Sequence, residues 1–263
     1  MFWKSRPPLD NDDLEWQLEC WGWLLSNFGG LAALEDKPMI LPTGAFFAPS
    51  ESQGHDRAQV LFDTIARYMS VDPGEFDLVP QDESIDPKLG DLAIVQNAPS
   101  SPAGTFQYGA DQRLRATYDP ASIERPMELI ATLAHEICHA ILFTTDDEPP
   151  GGPDCEEFAT DLAVTFFGFG VFAANSAFEF QQFSDGVTQG WSTRRQGYLT
   201  EAEWGFSLAV FLSLKLESAD AALKHLKPAL ASHLKKSLKY LDGNPDLLAP
   251  LIGGHGNEAS AGL

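Results

Sequence analysis

Residues 133–140 read Leu133-Ala134-His135-Glu136-Ile137-Cys138-His139-Ala140, inside a run from Met127 to Phe143 that is apolar apart from Glu128, Thr132 and the His-Glu pattern itself. Pro126 stands where a first helical turn tolerates proline, so the stretch predicts a helix buried on nearly every side. Two histidines four apart on a helix lie one above the other, and both imidazoles can reach one metal ion. Glu136 faces a neighbouring part of the surface, where it can hold a metal-bound water and take its proton. With six histidines in 263 residues, chance places His-Glu-x-x-His in roughly one chain in a hundred of this composition, so the pattern carries information. As core residues, two imidazoles and a carboxylate in this apolar run would be costly without a shared partner.

A catalytic zinc site needs a third protein ligand and one position left open for water. The metzincin extension would require Gly at 142 and His at 145; the chain has Leu142 and Thr145 there, which excludes it. The alternative is a glutamate from the next helix. Thr144 to Gly152 is a polar turn, and Pro153 opens a helix expected to run to about Gly168. Glu157 lies 18 residues beyond His139, and Asp161 is four further on, on the same face. Glu157 can complete a His-His-Glu set, and Asp161 can accept the remaining N–H of a ligating imidazole. Asp154, Glu156 and Glu157 also suit a helix first turn as ordinary acids, but the partner at Asp161 favours Glu157 over Glu156. Cys138 and Cys155 flank these positions and point away from the shared face, so packing is their expected role.

His135-Glu136-x-x-His139 followed by Glu157-x-x-x-Asp161 resembles the gluzincin group of zinc metallopeptidases, to which thermolysin belongs. The resemblance spans about residues 55–172, and its specific part is about a dozen residues. It implies an α+β fold with a zincin-like core, a small mixed or antiparallel sheet packed on an active-site helix and a glutamate helix. It implies Zn2+ held by His135, His139 and Glu157, Glu136 as general base, and Asp161 supporting His135. It also implies an edge strand above the metal cleft, for which Arg113 to Tyr118 is the candidate, and a peptide or protein substrate adding to that edge. The oxyanion donor is left open among Tyr108, Arg194, Arg195, Tyr198, His225 and His233. The competing readings are a catalytically silent binding or regulatory module on the same scaffold, and hydrolysis of a non-peptide amide.

Outward from this core, Asp10 to Phe28 predicts an amphipathic helix closed by Gly29-Gly30, and His55 to Met69 a second. Phe76–Val79, Leu92–Val95, Thr105–Tyr108 and Arg113–Tyr118 are written as strands, the last two as a hairpin. Phe158 to Phe178 reads as one buried helix and its exit, and Thr200–Leu216 and Ala219–Leu241 as further helices, with Pro228 restarting the second. The expected organisation is therefore a helical extension over 1–54, a metallopeptidase core over 55–172 and a mainly helical region over 173–263 packed on the core. Formal charge is −21, which repels nucleic acid and anionic membrane surfaces. Lys224, Lys227, Lys235, Lys236 and Lys239, with His225 and His233, form a local basic exception, read as a solvated face able to meet an acidic partner. Three cysteines make no disulfide framework. The N-terminus lacks an apolar leader, and no long uncharged apolar run is present, so a soluble, cytoplasmic protein is expected.

Overall fold

The computed structural model describes residues 6–81, 104–108, 113–184 and 199–254, with the side chains of 104–108 and 178–184 outside the description. Asp10 caps helix α1 (Asn11–Asn27) by accepting from the Asp13 N–H at 3.0 Å. The helix buries Leu14, Gln17, Trp21, Leu24 and Leu25, a helical stripe. Gly29 takes φ +84, but Gly30 begins a second short helix, α2 (Gly30–Glu35), so the glycine pair bends the chain rather than ending helical structure. Helix α3 (Gly54–Tyr68) buries Ala58, Phe62, Ile65 and Ala66.

Three strands follow: β1 (Phe76–Pro80), β2 (Gly104–Tyr108) and β3 (Leu114–Tyr118). Their order is β1-β3-β2, with β1 parallel and β2 antiparallel to β3. The expected hairpin is present. The expected edge strand is misplaced: 114–118 is flanked on both sides, Phe76 facing Leu114 on one and Tyr108 facing it on the other. With both rows of its backbone groups engaged, β3 cannot accept an added peptide strand. The antiparallel edge among the described residues is β2. The proposed strand at Leu92–Val95 and the tail after Gly254 lie outside the described residues.

Helix α4 (Pro126–Leu142) occupies the centre. The sheet and α3 pack against it, and so do α5 (Glu156–Phe166) and α6 (Gly170–Ser184). The run after Phe158 is thus two helices, not one. They are separated at Gly168, whose φ of +93 and contact with the Pro38 carbonyl leave no room for a Cβ. Helix α7 (Glu201–Leu214) opens on a capping box between Thr200 and Glu203 and is buried over nearly its whole length. The short α8 (Asp220–Leu223) leads to α9 (Pro228–Asp242), which lies so close to α7 that a Cβ on Gly205 would meet His233 Cβ at 2.6 Å. A final short helix, α10 (Ala249–Gly253), touches α1. Lys215 Nζ, beyond α7, donates to the carbonyls of Leu34 (2.9 Å) and Glu35 (2.7 Å), supplying the charge that the end of α2 favours. No described helix is long and apolar enough to cross a membrane.

Candidate metal centre

Helix α4 is terminated by Thr144 and Thr145, whose hydroxyls donate to the Ile141 and Leu142 carbonyls at 2.7 Å each. These bonds satisfy acceptors that a helix end leaves open. The chain then reverses through Gly151 and Gly152, both at positive φ. Trp16 of α1 fastens this reversal by donating its indole N–H to Pro150 O at 2.7 Å. A 3-10 turn over Gly152–Cys155 feeds directly into α5. Glu157 therefore sits in the first turn of α5 and Asp161 one turn further along, both toward α4.

His135, His139 and Glu157 converge. His135 Nε2 lies 3.0 Å from His139 Nε2 and 3.2 Å from Glu157 Oε2, while Glu157 Oε1 is 3.5 Å from His139 Nε2. A tetrahedral ion with bonds of about 2.0–2.1 Å spaces its ligands roughly 3.3–3.4 Å apart, and the three measured separations bracket that value. Among the described residues, this is the group of three His, Cys, Asp or Glu side chains whose ligand atoms can hold one metal ion. Asp161, Glu156 and the cysteines are not members of it.

The far nitrogens explain why the near ones suit a metal. His135 Nδ1 is 3.1 Å from Asp161 Oδ1, so its proton belongs there, donated to a carboxylate. His139 Nδ1 is 3.4 Å from Thr160 Oγ1. That hydroxyl spends its own proton on Glu156 O at 2.9 Å, leaving a lone pair to accept from Nδ1. Both rings are thereby set with Nε2 unprotonated, and two lone pairs meet a carboxylate oxygen at one point. Such an array needs a cation at its focus, a metal ion or a proton.

The titration behaviour says the same. Burial alone would drive His135 toward its neutral form, but the hydrogen bonds and charges of Asp161 and Glu157 outweigh it and hold the ring well above its ordinary value. Burial would raise Glu157, yet the two histidines pull it far below the usual carboxylate range. Glu136, 2% exposed, is raised by burial, while the charges of His139 and His135 partly offset this. It is thus a buried carboxyl within the field of the cluster, near the proton affinity useful in a base. Burial also raises Cys138, which makes it an unreactive packed thiol.

Two partners escaped the sequence reading. Thr160 could have been noticed, since it precedes Asp161 on a helix already assigned to the site. Leu199 could not: its backbone N–H donates to Asp161 Oδ2 at 3.0 Å across a separation of 38 residues. That bond holds the second oxygen of the carboxylate and ties the start of α7 to the site. Of the oxyanion candidates, Arg194, Arg195, Tyr198 and the Tyr108 side chain lie outside the described residues. His225 lines a cavity at the first turn of α4, and His233 packs on Gly205. Compared with protein families, curated proteins and solved structures, the chain matches none.

Proposed function

We propose that this chain is a zinc-dependent metallopeptidase of the gluzincin kind, its catalytic core lying within residues 55–172. The observation that carries the reading is the convergence of His135 Nε2, His139 Nε2 and a Glu157 oxygen, with each far imidazole nitrogen already committed to Asp161 or Thr160. His135, His139 and Glu157 would hold the ion. When bound there, zinc supplies Lewis acidity that makes a water more acidic and a carbonyl more electrophilic.

The remaining work falls to the chain itself. Glu136, placed by the motif between the two histidines and raised by burial, accepts a proton from the attacking water and returns it to the leaving amine. Asp161 keeps the His135 ring oriented and its tautomer defined, with its own second oxygen held by the Leu199 N–H. Thr160 does the same for His139, less strongly. A peptide adds to the sheet through main-chain bonds at β2, the edge that takes over the role expected of β3.

The test pairs metal content with turnover on a mixed peptide library. Wild type should carry about one zinc per chain and cleave peptides; Glu136→Gln should keep the zinc and lose turnover by a factor on the order of 10² or more. Zinc retained with no cleavage in wild type would instead favour a binding module on the same scaffold. Absence of zinc after reconstitution would remove both readings.

A further inference from the structure

At the other end of α4 lies a cavity of about 420 Å³. Glu128 of the first turn of α4, Asn175 and Ser176 of α6, and Lys224, His225 and Lys227 of the α8–α9 link contribute to its walls. This is a constructed feature. Asn175, 8% exposed, donates from Nδ2 to His225 O at 2.8 Å and accepts the Lys227 N–H on Oδ1 at 2.9 Å. One buried amide therefore clamps the cation-bearing link against α6 at two points.

Beside it, Ser176 is 2% exposed and its Oγ has no hydrogen-bond partner. A buried hydroxyl left unpaired costs free energy, and such groups call for an explanation. Two helix starts also meet at the cavity. Both α4 and α9 have proline at the first position and no side-chain cap, so their early N–H groups lack intrahelical partners and present the positive end of the dipole. The one carboxylate on the wall, Glu128, is matched by Arg125 Nη1 at 2.7 Å. Lys224 and Lys227 thus stand as a local excess of positive charge in a chain of formal charge −21.

We propose that this cavity binds a small oxyanion, a phosphate or carboxylate group, with Lys224 and Lys227 supplying charge and Ser176 Oγ donating a hydrogen bond to it. Helix starts and lysines recognise both groups by the same chemistry. The site is independent of the metal reading, since none of its residues belongs to the His-His-Glu set.

Calorimetric titration of the full chain with inorganic phosphate, and separately with acetate, at matched ionic strength in chloride, tests it. Saturable one-site binding is expected, weakened at least about tenfold in the double variant Lys224→Gln, Lys227→Gln and severalfold in Ser176→Ala. Tighter phosphate than acetate identifies a phosphate site; the reverse order identifies a carboxylate site. His139→Ala should bind the anion as wild type does. No saturable binding of either anion overturns the proposal, as does equal affinity in the double lysine variant or in Ser176→Ala. Loss of binding in His139→Ala overturns it too, because the anion would then sit on the metal centre. The lysines are exposed, so their replacement leaves the fold intact and the result interpretable.

Discussion

The two ends of helix α4 make opposite demands on their surroundings. Near its C-terminus, His135 and His139 meet Glu157 with lone pairs facing inward, and every outward nitrogen is already engaged. At its N-terminus, an uncapped first turn meets Ser176, Lys224 and Lys227 with donors facing inward. One cluster is short of a cation and the other of an anion. The helix dipole points the same way, since its C-terminal end favours positive and its N-terminal end negative partners. The clusters also differ in finish: the first is a closed array of buried partners, whereas the second is an open pocket with one buried hydroxyl unspent. The contrast suggests that a site for a tightly held ion is recognisable by the satisfaction of its supporting groups, and a site for an exchangeable ligand by what is left over.

The strongest way to break the comparison is to remove a donor from the first cluster. His139→Ala should abolish stoichiometric zinc, read as metal per chain by mass spectrometry, because two ligands rarely hold a structural or catalytic zinc alone. Full retention of zinc would mean that the convergent lone pairs have been misread. Asp161→Asn is subtler. It keeps size and burial but removes the charge that accepts from His135 Nδ1, so zinc affinity should fall by about 10–100-fold in a competitive chelator titration. An unchanged affinity would show that Asp161 serves only to hold Leu199.

How much of this was open to a reader of the sequence follows from distance along the chain. The two histidines, Glu157 and Asp161 obey helical spacing, and helical spacing is local, so their shared faces could be read directly. Helix starts at Asp10, Pro126 and Thr200 carry their own caps or prolines. The order of the strands was not open to the same reasoning. A parallel pairing between Phe76–Pro80 and Leu114–Tyr118 joins segments 38 residues apart, and nothing in either pentapeptide says which will be central. The break at Gly168 was hidden in an apolar run, because the decisive contact is with Pro38. Leu199 was invisible for a related reason: its contribution is a backbone N–H, which every residue but proline has.

The second cluster is sharpened by Asn175→Ala, which removes the clamp on the α8–α9 link. Losing a buried amide that makes two hydrogen bonds should cost roughly 1–3 kcal/mol in urea unfolding, and the His225 and Lys227 amides should exchange faster. Zinc content should not change; a fall would show that the two ends of α4 are not separate.

The pH dependence distinguishes the ends without mutation. In metal-free protein, the stabilisation from His135, held above its ordinary 6.5, is fully present below that pH and is lost as pH rises through the folded value. Glu136, raised from 4.5, changes stability in the same direction. Glu157 is depressed, so its contribution is present above 4.5 and lost only as pH falls through its folded value. Metal-free protein should therefore lose stability from about pH 6 to about pH 8, while zinc, which requires neutral imidazoles, should stabilise more strongly over that interval. Thermal midpoints with and without zinc check the two signs, and a metal-free protein that gains stability with rising pH would contradict the charge assignment.

The smallest expected effect concerns the link between the sites. Glu128 and His135 are seven residues apart, about 10 Å of helix rise. They share no side-chain partner among the described bonds. Energetic coupling at such a separation falls within about 0.5 kcal/mol. Zinc affinity measured with and without saturating phosphate should then differ by no more than about twofold, a ratio corresponding to roughly 0.4 kcal/mol. A larger difference would have to pass along α4 itself or through α6, which contacts α4 and carries Ser176. By reciprocity, the anion's affinity would then depend on zinc by the same factor, so titrating each ligand in the presence of the other closes the cycle.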